Sequence, residues 1–582
     1  MWWFRHAGGV SSSALGDRPA VRINQLGYLS SGAKRATLLS STTEPVGFRV
    51  VDTQERAVFS ARSVPWPERP EPTSGQDVHV LDFSALPRRG IFRIVAADAV
   101  SHPFRVDDGL YASLAVDALR FFYLQRSGCA ILENRAPGYG RPAGHVGVPP
   151  NTGDTAVGAW TGPDAERLYP GWTEGGRFDV SGGWYDAGDH GKYVTSGALP
   201  VWQLLATIEL LRGHPDSAPV GLEAALLEEA RWQLDWLLRM QVPPGHAYAG
   251  LAFHRVHGTE WAPDVMWPHR DPSTRVLHRP STGAALHLAA AAARGARTFA
   301  AVDPAYAVRL REAARLAYRT AQQHPTVIAP DDGGVFGGGP YGDHDLSDDV
   351  FWAAVELGLS PDPPPGDPFP LDGFDVDRVA GPAHLTLGST ELVAHAARRL
   401  VAVQRAQPWG QPYAPVGPWP WGSNGRLLNN LMLLGYGYEL TGEMEFRDAV
   451  LSGFDYLLGR NALGQSYVTG YGTDFSHHQR TRHYARDRDP SFPPPPPGAV
   501  AGGPTNRTYP GFPDDPQLPM LPPQQAYLDV STSETTNDVC IRWNSPLVWA
   551  ATFVTVTAAD DHARPFWTSA AGPGRRLPPK RS

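Results

Sequence analysis

Over the first hundred residues, apolar and polar positions alternate in short runs: AVRINQLGY, RATLLS, GFRVVD, RAVFSARSV, DVHVLDFSAL and GIFRIVAADAVSHPFRV. A period of two puts every second side chain on a buried face, and Pro or Gly clusters separate the runs at regular spacing. That pattern predicts a small β-sandwich over residues 20–107. Within DDGLYASLAVDALRFFYLQRSG the period lengthens to about 3.6, so a domain boundary is expected near Asp107. In GLEAALLEEARWQLDWLLRMQ the residues Leu227, Ala230, Leu234, Leu237 and Leu238 share one helix face. Similar helices are expected at 283–299, 305–323, 346–358, 386–405, 425–441, 444–459 and 543–558. Their succession predicts stacked helix hairpins over 108–560, in an α-bundle or an α/α barrel, with no obvious internal repeat.

The long connections 128–192, 242–280, 324–345 and 460–540 hold Trp, Tyr, His and Asp rather than Ser and Lys. Loops this long in a compact domain are functional or disordered, and this composition predicts ordered segments that build a site. SFPPPPPGAVAGGP reads as a stiff polyproline connector, with a docking motif as the weaker alternative. Residues 1–19 read as a disordered leader and 561–582, ending GRRLPPKRS, as a flexible tail.

With 582 residues the chain can bury a large core, and its net charge of −8 without a basic block argues against nucleic acid or an anionic membrane as partner. Cys129 and Cys540 form no metal-binding spacing and allow one disulfide at most. The N-terminus lacks the apolar stretch of a secretory signal, and no uninterrupted apolar run is long enough to span a bilayer. The expectation is a cytoplasmic monomer, or an extracellular one if the N-terminus has been trimmed. The 18 Trp and 20 Tyr can fill a core or stack on sugar rings; composition does not choose between these.

Three runs carry candidate chemistry. DVSGGWYDAGDHGKYV (179–194) places Asp186 and Asp189 three apart. WPWGSNGRLLNNLMLLGYGYELTG and FDYLLGRNALGQSYVTGYG lie within 419–472. AYLDVSTSETTNDVCIRWNSPLVW covers 526–549. In this order, behind a VRINQLGY sandwich, they resemble glycoside hydrolase family 9, inverting β-glycanases that include cellulases, some with an N-terminal immunoglobulin-like domain. The resemblance runs from residue 20 to about 556. It implies a mainly α fold, an (α/α)6 barrel with an open cleft behind an immunoglobulin-like β-sandwich.

Glycosidic cleavage needs one group to protonate the leaving oxygen and another to activate water, with the two carboxyls roughly 6.5–9.5 Å apart for inversion. On one helix turn, Asp186 and Asp189 would face the same way and grip a single water; the plain alternative is helix capping. By resemblance Asp189 is the general base and Asp186 holds the water. The acid is expected at Asp538, where family members carry Glu. Asp is shorter by roughly 1.5 Å, a misplacement that can cost about 100-fold. Glu534 is the substitute acid, and a structural Asp538 in a non-catalytic carbohydrate-binding protein is the other possibility. The family's Pro-His-His-Arg run is altered in HHQRTRH: Arg482 falls on the family Arg, Arg480 and Thr481 replace the histidines, and His477-His478 sits early.

Arg480, Arg482 and His478 are candidate sugar contacts, with a solvated basic loop as the alternative. Trp184, Trp352, Trp421 and Trp543 would stack on sugars or pack in the core. His190, Tyr193, Tyr471, Asn537 and Glu534, within the matched runs, complete the substrate-contact candidates. No catalytic metal or organic cofactor is expected, since HExxH and Cys ligand sets are lacking. A structural Ca²⁺ occurs in the family, and YGDHDLSDD (341–349) is a faint hint of one. The expected activity is inverting hydrolysis of β-linked glucan-type oligo- or polysaccharides, with an exo-β-glucosaminidase acting on chitosan-type fragments as the alternative. The sandwich shows no sugar-binding signature and is expected to be a scaffold.

Overall fold

The computed structural model describes residues 18–558 except 87, 173–174, 331–336, 510–511 and 513–514. Apart from Arg18 and Pro19, the expected leader and the whole expected tail lie outside the described residues.

The alternating runs form nine strands: β1 (Val21–Arg22), β2 (Arg35–Leu39), β3 (Gly47–Val51), β4 (Ala57–Arg62), β5 (Val64–Pro65), β6 (Val78–Asp82), β7 (Gly90–Ala96), β8 (Ala99–Val100) and β9 (Phe104–Val106). One antiparallel sheet has the order β1-β2-β6-β5 and the other β4-β3-β7-β8, with β9 on β7. Phe48 and Val50 of β3 and Phe92, Ile94 and Ala96 of β7 point inward, while Arg49 and Arg93 between them face solvent. They pack with Leu38, Leu81, Phe83 and Phe104 into a separate core. The segment after β1 is the junction with the rest of the chain. Gln25 N donates to Leu458 O at 2.9 Å, and Asn24 Nδ2 donates to Asp455 Oδ1 at 3.0 Å. The polar residues of VRINQLGY thus serve the domain interface rather than the sandwich alone.

Beyond it lie α1 (Ala112–Leu124), the short α2 (Pro163–Leu168), α3 (Val194–Gly213), α4 (Leu222–Met240), α5 (Thr282–Phe299), α6 (Pro304–Gln323), α7 (Ser347–Glu356), α8 (Ala380–Leu387), α9 (Thr390–Arg405), α10 (Ser423–Thr441), α11 (Met444–Leu457), the short α12 (Glu534–Asn537) and α13 (Ile541–Val556). They pack in neighbouring pairs: α3 with α4, α5 with α6, α7 with α8, α9 with α10 and α10 with α11. α3, α5, α10 and α13 are buried on nearly every side and form the inner layer, while α4, α6 and α9 expose a polar face outward. This is a mainly helical barrel behind a β-sandwich. α3 is apolar and long enough to cross a bilayer by composition, yet its surface is enclosed by the other helices.

The helix expected at 386–405 is in fact two, because Gly388 adopts a left-handed conformation (φ 63°) that ends α8 before α9 starts at Thr390. The run 492–500 is not a free connector. Pro493, Pro495 and Pro496 are buried, with Pro494 half-buried and Pro497 exposed, and Asn544 of α13 donates to Gly498 O at 2.9 Å, so the run is packed onto the helices along much of its length. Cys129 and Cys540 are both free thiols.

Between the helices a third sheet has the order β11 (Arg177–Phe178), β10 (Val157–Ala159), β15 (Arg275–Leu277), β14 (Arg255–Gly258) and β12 (Lys192–Tyr193), beside a pair formed by β13 (Ala252–Phe253) and β16 (Pro280–Ser281). Pairing of β12 with β14 fixes the chain just after Asp189 and leads directly into α3.

Candidate active site

Asp186 and Asp189 do not share a helix turn. Residues 184–191 form a tight loop, closed by Asp186 N donating to Gly191 O at 3.0 Å, and the helix starts only at Val194. The two side chains consequently diverge. Asp186 points into the protein, where the Ser196 hydroxyl donates to Oδ1, Tyr341 OH donates to Oδ2 at 2.6 Å and the Cys540 thiol lies 3.8 Å from Oδ2. Asp189 faces the cleft, and its Oδ2 accepts from Gly191 N at 2.8 Å and from Tyr193 OH at 3.4 Å. Tyr193 OH in turn accepts from Gly339 N at 2.8 Å.

Asp538 reaches the same cleft from the far end of the sequence, between α12 and α13. Three segments interleave there. Ala187 pairs with Cys540 and Arg480 with Asp538 as isolated bridges. Ile541 N donates to Asp186 O and Arg482 N to Gly188 O, both at 2.9 Å. Gly188 N and Val539 N donate to Asp538 Oδ1 at 3.3 and 2.9 Å. This approach explains the glycine of the Asp-Ala-Gly-Asp run. A Cβ at position 188 would sit 2.2 Å from the Arg480 carbonyl oxygen and 3.0 Å from Asp538 Oδ1, forcing the two carboxylate segments apart.

The surroundings separate the two cleft carboxyls. Close packing and then the facing charge of Asp189 push the Asp538 carboxyl well above the usual carboxylate range, against the pull of the Val539 amide and Arg480. Burial also raises Asp186, with Arg542 the largest opposing influence and Ser196 and Tyr341 next. Glu534 lines the cleft as an ion-pair partner of Arg480, which suits a wall-forming anion better than a proton donor.

The cleft has a volume of about 1070 Å³. Trp261, Trp421 and Trp543 line it together with Tyr193, Arg480 and Arg482, as do Tyr341, Arg426, Tyr509, Phe512 and Arg542, which the sequence reading did not single out. Tyr341, Tyr509 and Phe512 had a usable signal, as aromatics in long loops. Arg480 is tied to Asp264 at 3.2 Å, and Arg482 Nε donates to Ala262 O at 2.9 Å, pinning the 261–264 lip.

Several expected sugar contacts lie elsewhere. Trp184 is buried with its indole N–H on Glu229 at 3.3 Å, and Trp352 is buried edge-on to His287. His190 Nδ1 bonds Asp271 Oδ2 at 2.8 Å below the loop. Tyr471 OH donates to Asp117 at 2.8 Å. Asn537 is wholly buried, donating to His478 O at 2.6 Å to shape the 478–480 turn. His477 and His478 are exposed outside the cleft, so the loop does not bring the histidine pair back. For Trp184, His190, Tyr471 and Asn537 a hydrogen bond inside the fold holds the polar atom away from the groove, whereas Trp352 is taken up by core packing.

Among the described residues, two groups have the ligand geometry for a cation, with ligand atoms within 4.8 Å of one another: His145, His190 and Asp271, and Asp343, Asp348 and Asp349. The second fits a hard cation better. It offers carboxylate oxygens only, and Asp343 Oδ2 and Asp349 Oδ2 are buried without a hydrogen-bond partner. Burial and the charge of Asp349 push Asp343 up to about 6 and Asp348 up to about 7, a strain that a bound cation would relieve.

Comparison with known proteins gives the same picture. The model of glycosyl hydrolase family 9 matches residues 111–361 and 377–551, and that of the cellulase N-terminal ig-like domain matches residues 17–101. The chain is 43% identical over 581 residues to endoglucanase C of Cellulomonas fimi, covering 92% of this chain but 52% of that protein. It is 33% identical over 622 residues to a cellulose 1,4-beta-cellobiosidase of Acetivibrio thermocellus, covering 92% of this chain and 67% of that protein. The chain thus spans only part of the length of both relatives. A solved Bacteroides ovatus GH9 structure superposes with a TM-score of 0.77 at 26% identity, over 93% of this chain and 99% of that one. Fold, paired carboxylate segments and similarity agree: the chain belongs to glycosyl hydrolase family 9, with an N-terminal immunoglobulin-like domain.

Proposed function

We propose that the protein hydrolyses β-1,4-linked glucans with inversion at the anomeric carbon. The observation that carries this reading is the meeting of Asp189 and Asp538 in one cleft, in unlike environments. Asp189 accepts hydrogen bonds from an amide and a phenol, as suits a base that takes a proton from water. Asp538 is crowded by protein and faces a like charge, as suits an acid that keeps its proton until the leaving oxygen needs it. Water attacks the anomeric carbon as Asp189 accepts its proton, while Asp538 gives its proton to the departing glycosidic oxygen. Asp186, with both oxygens occupied by hydroxyl donors, acts by fixing the loop that aims Asp189. The names of the two relatives, an endoglucanase and a cellobiosidase, support β-1,4-glucan as the substrate class.

A divalent cation such as Ca²⁺ would be held by Asp343, Asp348 and Asp349, supplying charge neutralisation. These residues follow Tyr341 in the chain and so steady the segment that bears on Asp186.

The test is hydrolysis of cello-oligosaccharides and chitosan oligosaccharides by the native chain and by Asp189→Ala. Release of shorter cello-oligosaccharides by the native chain alone supports the reading. Cleavage of chitosan fragments only would move the substrate to amino sugars. Binding without cleavage would make the protein a carbohydrate-binding one.

A further inference from the structure

Arg542 stands on the first turn of α13, four residues after Asp538, and lines the cleft. Its Nη1 lies 2.5 Å from Asp375 Oδ1. Its guanidinium carbon sits 5.1 Å from the centre of the Tyr341 ring. The Tyr341 hydroxyl donates to Asp186 Oδ2 at 2.6 Å, so Asp375, Arg542, Tyr341 and Asp186 form a continuous chain across the cleft floor. We propose that Arg542 is a positioning residue of the hydrolytic site: it clamps Tyr341 against Asp186 and supplies the buried positive charge that keeps Asp186 an acceptor. This inference rests on the hydrolase reading above.

Two independent features of the geometry point this way. Tyr341 has φ 45°, in the left-handed region that an aromatic residue avoids, and such a conformation persists only where its surroundings hold it. Its ring is held by the Tyr193 ring, 4.5 Å away between centroids, and by Arg542. Asp186, in turn, is enclosed by Ser196 from α3, Tyr341 from the 337–343 loop, Cys540 and Arg542 from the start of α13, and Asp189 from its own loop. Among these groups Arg542 alone carries positive charge, and burial working against the Asp186 anion is opposed most by it. Asp375 sets where that charge sits, since it also draws Arg426 Nη2, 3.6 Å away.

The experiment combines the pH profile of kcat/KM with ¹³C NMR titration of the Asp186 carboxyl in Arg542→Met, Arg542→Lys and Asp375→Asn, each with its melting temperature. Arg542→Met should raise the Asp186 midpoint and shift the acid limb of kcat/KM the same way, lowering kcat/KM at pH 5 by about tenfold. Arg542→Lys keeps the charge but not the flat stacking face, so it should leave the limb in place and lower kcat. Asp375→Asn frees the Arg542 charge from its partner and should lower the midpoint. A midpoint and limb unmoved in Arg542→Met overturn the proposal. If that variant does not fold, an Asp375→Asn midpoint that stays or rises overturns it. Should the native chain hydrolyse nothing, the hydrolase reading fails, while the carboxyl titration still decides whether Arg542 governs Asp186.

Discussion

The loop that carries Asp189 and the segment that carries Asp538 lie side by side, and each presents an aspartate to the same cleft. Asp189 rests in a nest of donors, Gly191 N and Tyr193 OH, that its own loop provides. Asp538 takes donors on one oxygen only, from Gly188 and Val539, and looks out on Asp189 and Glu534. One side chain type therefore has two environments, one suited to accepting a proton and the other to keeping one. The difference comes from packing rather than from residue identity.

The largest effects should come from removing either carboxyl. Asp189→Asn and Asp538→Asn should each lower kcat by about 10²–10⁴-fold on cello-oligosaccharides. They should part on an aryl glycoside whose leaving group needs no proton, where Asp538→Asn regains most of its activity and Asp189→Asn does not. Equal losses on both substrates would erase the contrast. Next, Asp538→Glu should raise kcat, by up to about 100-fold if the shorter side chain under-reaches the leaving oxygen. A fall instead would mean that the cleft wall is fitted to Asp.

A smaller effect tests the coupling directly. Because the Asp189 charge helps to raise Asp538, Asp189→Asn should lower the pH at which Asp538 titrates, as followed by ¹³C NMR. In the native protein the same coupling holds the proton to higher pH, so the alkaline limb of kcat/KM should lie well above the ordinary aspartate range. Last, Ca²⁺ at 100 times its Kd contributes about 2.7 kcal/mol, which should raise the melting temperature by a few degrees. Asp343 and Asp348 have folded pKa values raised to about 6 and 7, so they cost stability as pH rises through that window. The Ca²⁺ gain should therefore be larger at pH 8 than at pH 5, and Asp349→Asn should remove it.

Much of this was legible in the chain. Alternation at Phe48, Val50, Phe92 and Ile94 gave the sandwich, because one face of each strand is buried. The helices with a polar outer face, α4 and α6, were equally readable. α3 was not, since it is apolar on all sides and contains Pro200, leaving no periodic signal. In the site, the motif runs named Asp186, Asp189 and Asp538, but spacing alone suggested a helix turn where a loop closed by Gly191 sends the two aspartates apart. Trp184, His190 and Asn537 looked like sugar contacts because polar and aromatic residues in motifs look alike whether they face a ligand or brace a loop. Tyr341 and Arg542 lay in runs already singled out, but their roles were not legible there, since they arise from contacts with Asp186, which lies 155 and 356 residues away along the chain.

The central claim is that water activated by Asp189 attacks opposite the bond that Asp538 protonates. ¹H NMR of the first sugar released from a β-1,4-linked cello-oligosaccharide, recorded before mutarotation, tests it most directly. The account predicts the α-anomer as the initial product; an initial β-anomer would contradict it.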